Sequence, residues 1–486
     1  MTEAGRRRLA LLVSVAGAML VALDGTVLLV AQPSLQRDLG ADVAQVQWTS
    51  TGYLLAVAAL LVIAGRLGDR YGHRRLLFVG VLGFAAASAG IALAPGVGWV
   101  IGLRAVQGVF GALLQPATLA LLRLAYPADR LGAPVAIRTS AIGVAAAAGP
   151  VLGGVLVAHW GWRAVFVINV PIALAIAAIT LSVRAPAPRP RTGSQRLNLT
   201  GAALLATALA VLVHTLVGVP EHGWTAAPTL LGLVAAAGIA VVFVAHERRT
   251  AHPIVPPAVA RSVPVTASMA ILLLTTGGMF GALFVTTFFL QDVLGLDPLA
   301  CGLRVLPLTA LMILGAPVAG AALRRCGPRR TAFTGVVLVV LGLAGLSRLG
   351  PTSGWAVTGV AFAVLGAGFA TVMVTATGTV VGDAPPGYAG VVGGLKQTAM
   401  NVGPAFGIAV AASVMLLKAS AAEPLAVGAT PATSAPVMAP ALMALAALAA
   451  LGLLPASLLP HGRATARDVT RTEAPPQTPL LERRRG

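Results

Sequence analysis

Apolar runs of about 20 residues, each long enough to cross a hydrocarbon core of ~30 Å, recur along nearly the whole chain. They fall at 9–31, 45–65, 76–94, 97–122, 135–158, 164–183, 199–217, 227–245, 265–290, 299–323, 331–347, 355–381, 388–417 and 436–459, fourteen in all. Lipid offers no partner to a backbone N–H or C=O, so a segment of this kind must bond to itself as a helix. The two-residue alternation of a β-barrel strand is absent. Only 10% of residues are charged and the mean hydropathy is +0.89, against roughly 25% charged for a soluble domain. The expected fold class is an all-α polytopic membrane protein with 14 transmembrane helices.

The formal charge of +19 could suggest nucleic acid, but its placement argues otherwise. With the N-terminus inside, 27 of the 34 Lys and Arg fall on the inner side, among them Arg6–Arg8, the 66–75 loop, three at 123–138 and six in the tail. Five fall outside, at Arg37, Arg163, Arg304, Arg348 and Lys418, while Arg104 and Lys396 lie within spans. That bias puts both termini in the cytoplasm and makes the lipid bilayer, not nucleic acid, the partner of the charge. The opening "MTEAGRRRLALLVSV" has the form of a signal peptide, but with thirteen spans behind it we read an uncleaved first helix. Cys301 and Cys326 stand at opposite ends of one span and cannot pair within a molecule. Arginine outnumbers lysine 32 to 2 and alanine and glycine abound, which suits a GC-rich bacterial genome and a bacterial inner membrane.

The chain repeats itself. At an offset of 255 residues, Gly65, Arg70, Gly72, Arg74 and Arg75 fall on Gly320, Arg325, Gly327, Arg329 and Arg330, and Gln36, Leu39 and Gly40 fall on Gln291, Leu294 and Gly295. At 254, "GPVLG" (Gly149–Gly153) falls on "GPAFG" (Gly403–Gly407). Such a duplication implies two bundles of parallel topology that rock about a central site. The expected organisation is an N-terminal six-helix bundle at 1–183, a linker with two extra helices at 184–263, a C-terminal six-helix bundle at 264–459, and a polar, Pro- and Arg-containing tail at 460–486 read as disordered.

Several stretches carry specific chemistry. "GRLGDRYGHRR" sets Gly65, Gly68, Asp69, Arg70, Gly72, Arg74 and Arg75 at the edge of an apolar run. "RAVQG" spans Arg104–Gly108, and "GVAAAAGPVLGG" holds Gly143, Gly149, Pro150, Gly153 and Gly154. Together with "LDGTVLLVAQP" (Leu23–Pro33) and "WGWRAVFVINVP" (Trp160–Pro171), these resemble, in order and along the full chain, the motifs of the major facilitator superfamily, fourteen-helix drug:proton antiporter branch. The resemblance implies export of small organic compounds, as in multidrug and antibiotic efflux, in exchange for protons by alternating access. Leu29 stands where the family's first-helix motif often has Asn, and Gln32 where Leu is usual.

In the loop motif, Gly68 and Gly72 permit tight turns and close helix approach. Asp69 can cap a helix N-terminus or pair with an arginine of a neighbouring helix end, closing the inner mouth in one state. The arginines hold the loop at the anionic inner leaflet; a plain positive anchor is the alternative for the whole motif. The second copy has Arg324 where the first has Asp69, so its charge latch is lost and an anchor is the expected role. Pro150 removes a backbone hydrogen bond and predicts a kink, and the small residues around it admit a neighbouring helix. In the family this helix is thought to seal one side of the cavity.

Asp24 is the one carboxylate deep within a span, about 10 Å from its outer end at ~1.5 Å per residue, and Arg104 lies at similar depth. The family fold would set both on one cavity. Burial favours the neutral form of such a carboxyl and a nearby arginine the charged form, so the pair could couple proton binding to gate movement. A static pair that fixes helix packing is the alternative. Gln107, one turn below Arg104, could hydrogen-bond either group. Gln32, Lys396 and Asn401 complete the polar cavity candidates; Lys396 could instead snorkel to the interface.

No Walker A sequence, His-Glu-x-x-His or Gly-x-Ser-x-Gly is present, and His246–Glu247 lacks the second histidine of a zinc site. Neither an enzyme, a metal site nor a cofactor is expected, and protons are the expected coupling ion. An importer of the same fold and a membrane sensor are the competing readings. Few titratable cavity groups and many Leu, Val, Ala, Met and Phe positions favour an apolar or amphipathic small-molecule substrate, cationic or neutral in charge, carried by a monomer.

Overall fold

The computed structural model describes residues 3–41, 43–127, 130–182, 198–290, 294–296, 298–350, 352–383, 388–421 and 435–460. Every regular element among them is a helix. The first group comprises α1 (Glu3–Leu39), α2 (Val43–Tyr71), α3 (His73–Ala92), α4 (Val97–Ala125), α5 (Gly132–Trp160), the short α6 (Ala164–Val167) and α7 (Asn169–Ser182). Next come α8 (Leu199–His222), α9 (Ala227–Arg249) and the short α10 (Pro257–Ala260). The last group is α11 (Val263–Phe288), α12 (Pro298–Leu346), α13 (Trp355–Gly382), α14 (Ala389–Ala421), α15 (Ala435–Ala450) and α16 (Leu453–Ser457). Twelve helical stretches among the described residues are long and apolar enough to cross a membrane. The tail from 461 and the linker residues 183–197 lie outside the described residues.

Several boundaries differ from the hydropathy pattern for local reasons. α1 runs past residue 31 to Leu39, because the polar Gln36–Asp38 turn stays helical beyond the apolar run. The expected sixth span, 164–183, comprises α6 and α7, and Ile168 between them keeps helical angles (φ −63°, ψ −26°) and donates to the Ala164 carbonyl. Pro171 has no N–H to give the Val167 carbonyl, so one bond of the helical ladder is missing there. The tenth and eleventh expected spans form one 49-residue element, α12, whose two arms meet at Gly327 with φ 79° and ψ 168°. Gly72 makes the same left-handed turn between α2 and α3, with φ 95°. The two glycines are 255 positions apart, so the repeat seen in the sequence is a repeat of backbone geometry, and both turns require φ values that a Cβ disfavours.

Two large apolar clusters hold the molecule together. One draws Val13, Leu20, Val57, Leu61, Phe84, Leu114 and Ile176 from α1–α4 and α7. The other draws Ile271, Val336, Leu343, Phe362, Phe369 and Leu445 from α11–α15. α8 lies against both groups, with Val213, Leu216 and Val219 on Ala58 of α2 and on Val402 and Ala409 of α14. α9 buries little beyond Thr229 and Ala236 and leaves Leu231, Val234 and Val241 open, as a helix bathed in lipid would.

The groups meet along two seams. On one, α2 crosses α14 so closely that a side chain on Gly65 or Gly390 would run into the other's carbonyl. On the other, α12 crosses α5, where a Cβ on Gly320 would lie 3.3 Å from that of Ala136 and 3.4 Å from the Gly132 carbonyl. Gly65 and Gly320 are equivalent positions of the repeat. A close crossing is thus kept beside the second loop although that loop lacks the aspartate.

Candidate functional site

The deepest polar cluster is built on Asp24, midway along α1 and 1% exposed. Its Oδ2 accepts a hydrogen bond from Arg104 Nη1 of α4 at 2.7 Å. Its Oδ1 accepts from Asn169 Nδ2 of α7 at 2.7 Å and from Gln107 Nε2 at 3.2 Å. Arg104 and Gln107 are three residues apart on one helix, hence on one face, and Arg104 Nη1 also donates to Gln107 Oε1 at 2.6 Å. Arg104 Nε donates to the Thr49 carbonyl of α2 at 3.0 Å, and its guanidinium lies 4.4 Å from the Tyr53 ring centroid. Gln107 Nε2 reaches Ser88 Oγ of α3 at 2.8 Å.

Residues of five helices thus form one cluster, in which the carboxylate itself accepts from α4 and α7. A lone buried ion is costly, and the hydrogen bonds to Asn169, Gln107 and the Thr49 carbonyl offset part of that cost. The cluster therefore brings Asp24, Arg104 and Gln107 together as expected, and adds Asn169, which the sequence reading passed over. Asn169 is a lone amide inside the apolar "VINVP" stretch, two residues before Pro171.

The second polar centre lies where α2 ends. Asp69 Oδ1 accepts from the Gly390 amide at 2.8 Å and Oδ2 from the Val391 amide at 3.0 Å. These are among the first, unsatisfied N–H groups of α14, whose helix dipole also favours a negative charge. Of the two expected partners, the carboxylate takes the helix N-terminus. His73 Nε2 approaches Asp69 Oδ1 at 3.0 Å, and Gly68 leaves the room its ring occupies. Arg74 donates to the Thr180 and Leu181 carbonyls at 3.1 and 2.9 Å, satisfying the C-terminal end of α7. The Arg70 guanidinium lies 5.3 Å from the Tyr71 ring, and Arg75 is exposed.

In the fifth-span motif, Gly149 faces Thr26 of α1, and a Cβ on Gly153 would come within 3.1 Å of the Val27 carbonyl. Their repeat partners Gly403 and Gly407 lie as closely against Thr276 and Gly277 of α11. Gly143 points instead toward Ile313 of α12, and Gly154 faces open space. α5 runs as helix through position 150, while the Pro150 side chain falls outside the described residues.

The remaining candidates do not join the Asp24 cluster. Gln32 Nε2 donates to Ser50 Oγ at 3.0 Å, tying α1 to α2. Asn401 is partly buried, with Nδ2 unpartnered among the described residues. Lys396 is 1% exposed, so it does not snorkel to an interface. Arg138, counted in sequence with the inner fringe of charge, is 5% exposed inside α5, a correction that follows from α5 beginning at Gly132. Neither Cys301 nor Cys326 forms a disulfide among the described residues.

A buried, multiply bonded ion pair, glycine-lined seams between two repeated helix groups, and a carboxylate on a helix end define a membrane transporter. Residues 15–408 match the Major Facilitator Superfamily, and the chain belongs to it. It is similar to the tetracenomycin C resistance and export protein of Streptomyces glaucescens, 42% identical over 412 residues, covering 85% of this chain and 76% of that protein. It is 34% identical over 411 residues to the puromycin resistance protein of Streptomyces alboniger, covering 83% and 81% of the two chains. It is 33% identical over 398 residues to the multidrug efflux pump LfrA of Mycolicibacterium smegmatis, covering 80% and 77%. Among solved structures, a proton:xylose symporter shares the fold with a TM-score of 0.64 at 14% identity, covering 93% of this chain and 95% of that one. The protein is a transporter and not an enzyme, and these relatives are antibiotic and multidrug exporters.

Proposed function

We propose that this protein exports a small organic compound, apolar or amphipathic and of the antibiotic class, across a bacterial inner membrane in exchange for protons. The observation that carries the reading is the Asp24 cluster, a carboxylate sealed among five helices with an arginine, an amide and a glutamine as partners. A proton arriving on Asp24 removes the charge that holds Arg104, and the helices that supply the partners are then free to rearrange. The names of the relatives support export as the direction. Protons are the coupling ion and no cofactor takes part; a proton-motive force of roughly 150 mV supplies about 3.5 kcal/mol per charge, enough for a several-hundredfold substrate gradient.

The gate belongs to the same reading. The Asp69 contact with Gly390 and Val391, with Gly65 packed on Gly390, is the inner mouth in its closed state. Gly149 and Gly153 hold α5 against α1, so that the outer parts of the first group move as a unit. The chain works as a monomer with both termini in the cytoplasm and fourteen spans. The kink at Gly327, which divides α12 into two membrane-length arms, and the 29-residue α5 support that count. Two six-helix bundles, at 1–183 and 264–459, flank the linker segment 184–263, with a cytoplasmic tail at 460–486.

Everted membrane vesicles carrying a quinacrine-type pH probe test the reading. Addition of an exported compound from a panel of antibiotics and dyes to energised vesicles should release protons from the lumen. Compound-independent proton movement across the whole panel would count against exchange, and a signal of opposite sign would make the protein an importer.

A further inference from the structure

Four basic side chains are buried in the described residues: Arg104, His73, Arg138 and Lys396. The first two meet carboxylates, Asp24 and Asp69. Among the described residues Arg138 and Lys396 meet none. Arg138 Nη2 donates a long hydrogen bond, 3.3 Å, to Thr118 Oγ1 of α4, and its Nε is buried with no partner. Arg138 reaches Thr118 of α4 from α5, and α14, which carries Lys396, packs at Gly393 on Pro116 of the same α4 turn, so both basic residues flank one stretch of α4.

Their position is consistent from every side. Arg138 stands six residues into α5 and Lys396 seven into α14, so both lie about 10 Å from those helix starts at ~1.5 Å per residue. Gly393, one turn before Lys396, packs on Pro116 of α4, two residues from Thr118. On α13, Val374 packs on Ala136 of α5, and Val381 on Leu119 and Leu122 of α4. Thr377 lies between them on the same helix face, and its Oγ1 is buried without a partner. Two cations and two hydroxyls from four helices therefore gather one level above the Asp69 gate, with a donor left open on Arg138.

Two like charges placed out of water repel and lose hydration, and neither hydroxyl neutralises them. One anion with two oxygens would meet both. We propose that Arg138 and Lys396 form a subsite for an acidic group, a carboxylate or phenolate, on the exported compound. This inference rests on the export reading and narrows its substrate class. Because one cation belongs to each half, closing the inner mouth presses them together. A bound anion favours that closure, and its release to the outside removes the bridge between the halves.

The test uses the full-length protein and a matched pair of fluorescent probes, 1-pyrenebutyrate and its methyl ester, with ethidium as a cationic control. In proteoliposomes, Arg138→Gln and Lys396→Gln should each lower pyrenebutyrate transport by about tenfold to a hundredfold, the loss expected for one charged hydrogen bond. Ethidium transport should fall by clearly less than pyrenebutyrate transport, and Lys396→Arg should restore most of the lost activity. Pyrenebutyrate should also raise the melting temperature of purified wild-type protein more than its ester does, and this difference should vanish in both Gln variants. Equal losses for pyrenebutyrate and ethidium, or equal stabilisation by acid and ester, would overturn the subsite. If no probe is transported, export itself fails, while the melting difference still decides whether the anion binds.

Discussion

Asn169 donates its side-chain amide to Asp24 Oδ1 across 2.7 Å, from the first turn of α7. An uncharged donor thus serves the carboxylate without adding a second charge. Asn169→Ala removes one hydrogen bond to the ionised form, a contribution of about 1.5–3 kcal/mol. Drug-dependent proton flux should fall by about tenfold or more. Arg104→Ala should lower it further. Unchanged flux in both variants would detach these donors from the Asp24 site.

Asp24→Asn should abolish substrate-dependent proton movement while leaving membrane expression near normal. Asparagine keeps the size of the side chain and can still accept from Arg104, so packing survives while the titrating group is lost. Wild-type proton flux from everted vesicles of this variant would leave the coupling site elsewhere.

At the gate, Asp69→Asn exchanges two charge-assisted bonds to the α14 N-terminus for weaker neutral ones. Transport should fall sharply with the protein still inserted. Arg324→Ala, at the equivalent position of the second loop, should do less, because Arg324 is exposed and the crossing there rests on Gly320 and Ala136. Equal defects in a dye-efflux assay would mean that both loops serve only as anchors.

Topology can be read by reporter fusions. The charge distribution and the two extra helices put Arg191 on the cytoplasmic side and Gly223, which follows α8, on the outer side. A fusion at Arg191 that reports an outside location would break this arrangement.

The C-terminal end of α1 offers a pH test of stability. Asp38 Oδ2 accepts from Trp162 Nε1 at 2.8 Å and from Arg163 Nη1 at 2.6 Å. The Trp162 hydrogen bond first, and the Arg163 bond and charge after it, hold the Asp38 carboxyl below the usual carboxylate range. A lowered folded value means stability that is present above the unfolded value and lost as pH falls through the folded one. The melting difference between wild type and Asp38→Ala in detergent should therefore be constant from pH 7 down to about 5 and shrink below about 4. Because the pair is open to solvent, with side chains 42% and 49% exposed, the difference should be small and salt-sensitive. A difference that persists unchanged to pH 3 would show that the ionisation of Asp38 plays no part.

What could be read in advance followed from charge and period. Asp24, Arg104 and Gln107 announced themselves because charged and amide groups at matched depth in apolar runs have few bland explanations, and Gln107 follows Arg104 at helical spacing. Asn169 was invisible by the same logic, since a neutral amide leaves little mark on hydropathy and its partner is 145 positions away. The Asp69 cap was half legible: the residue type suited a helix end, but no local pattern says that the end belongs to α14. Arg138 was misplaced because a basic residue near a span edge normally counts toward the inner fringe. The turn at Gly72 was expected from its type and its copy at Gly327 from the repeat, while the crossing of Gly65 on Gly390 is a tertiary fact.

In the gate proposed above, the two seams between the helix groups are alike in path and unlike in strength. Where α2 meets α14, two charge-assisted bonds from Asp69 lie beside the glycine crossing. Where α5 meets α12, one neutral bond from Ser140 Oγ to the Ile313 carbonyl, 2.8 Å long, accompanies the crossing at Gly320. Parting the first forfeits about 1.5–3 kcal/mol per bond and parting the second about 1 kcal/mol. The closed form is thus a door with a hinge side and a free side. Its halves should swing open along α5 and α12 first, so that a compound dissolved in the inner leaflet meets a lateral doorway before the aqueous mouth has widened.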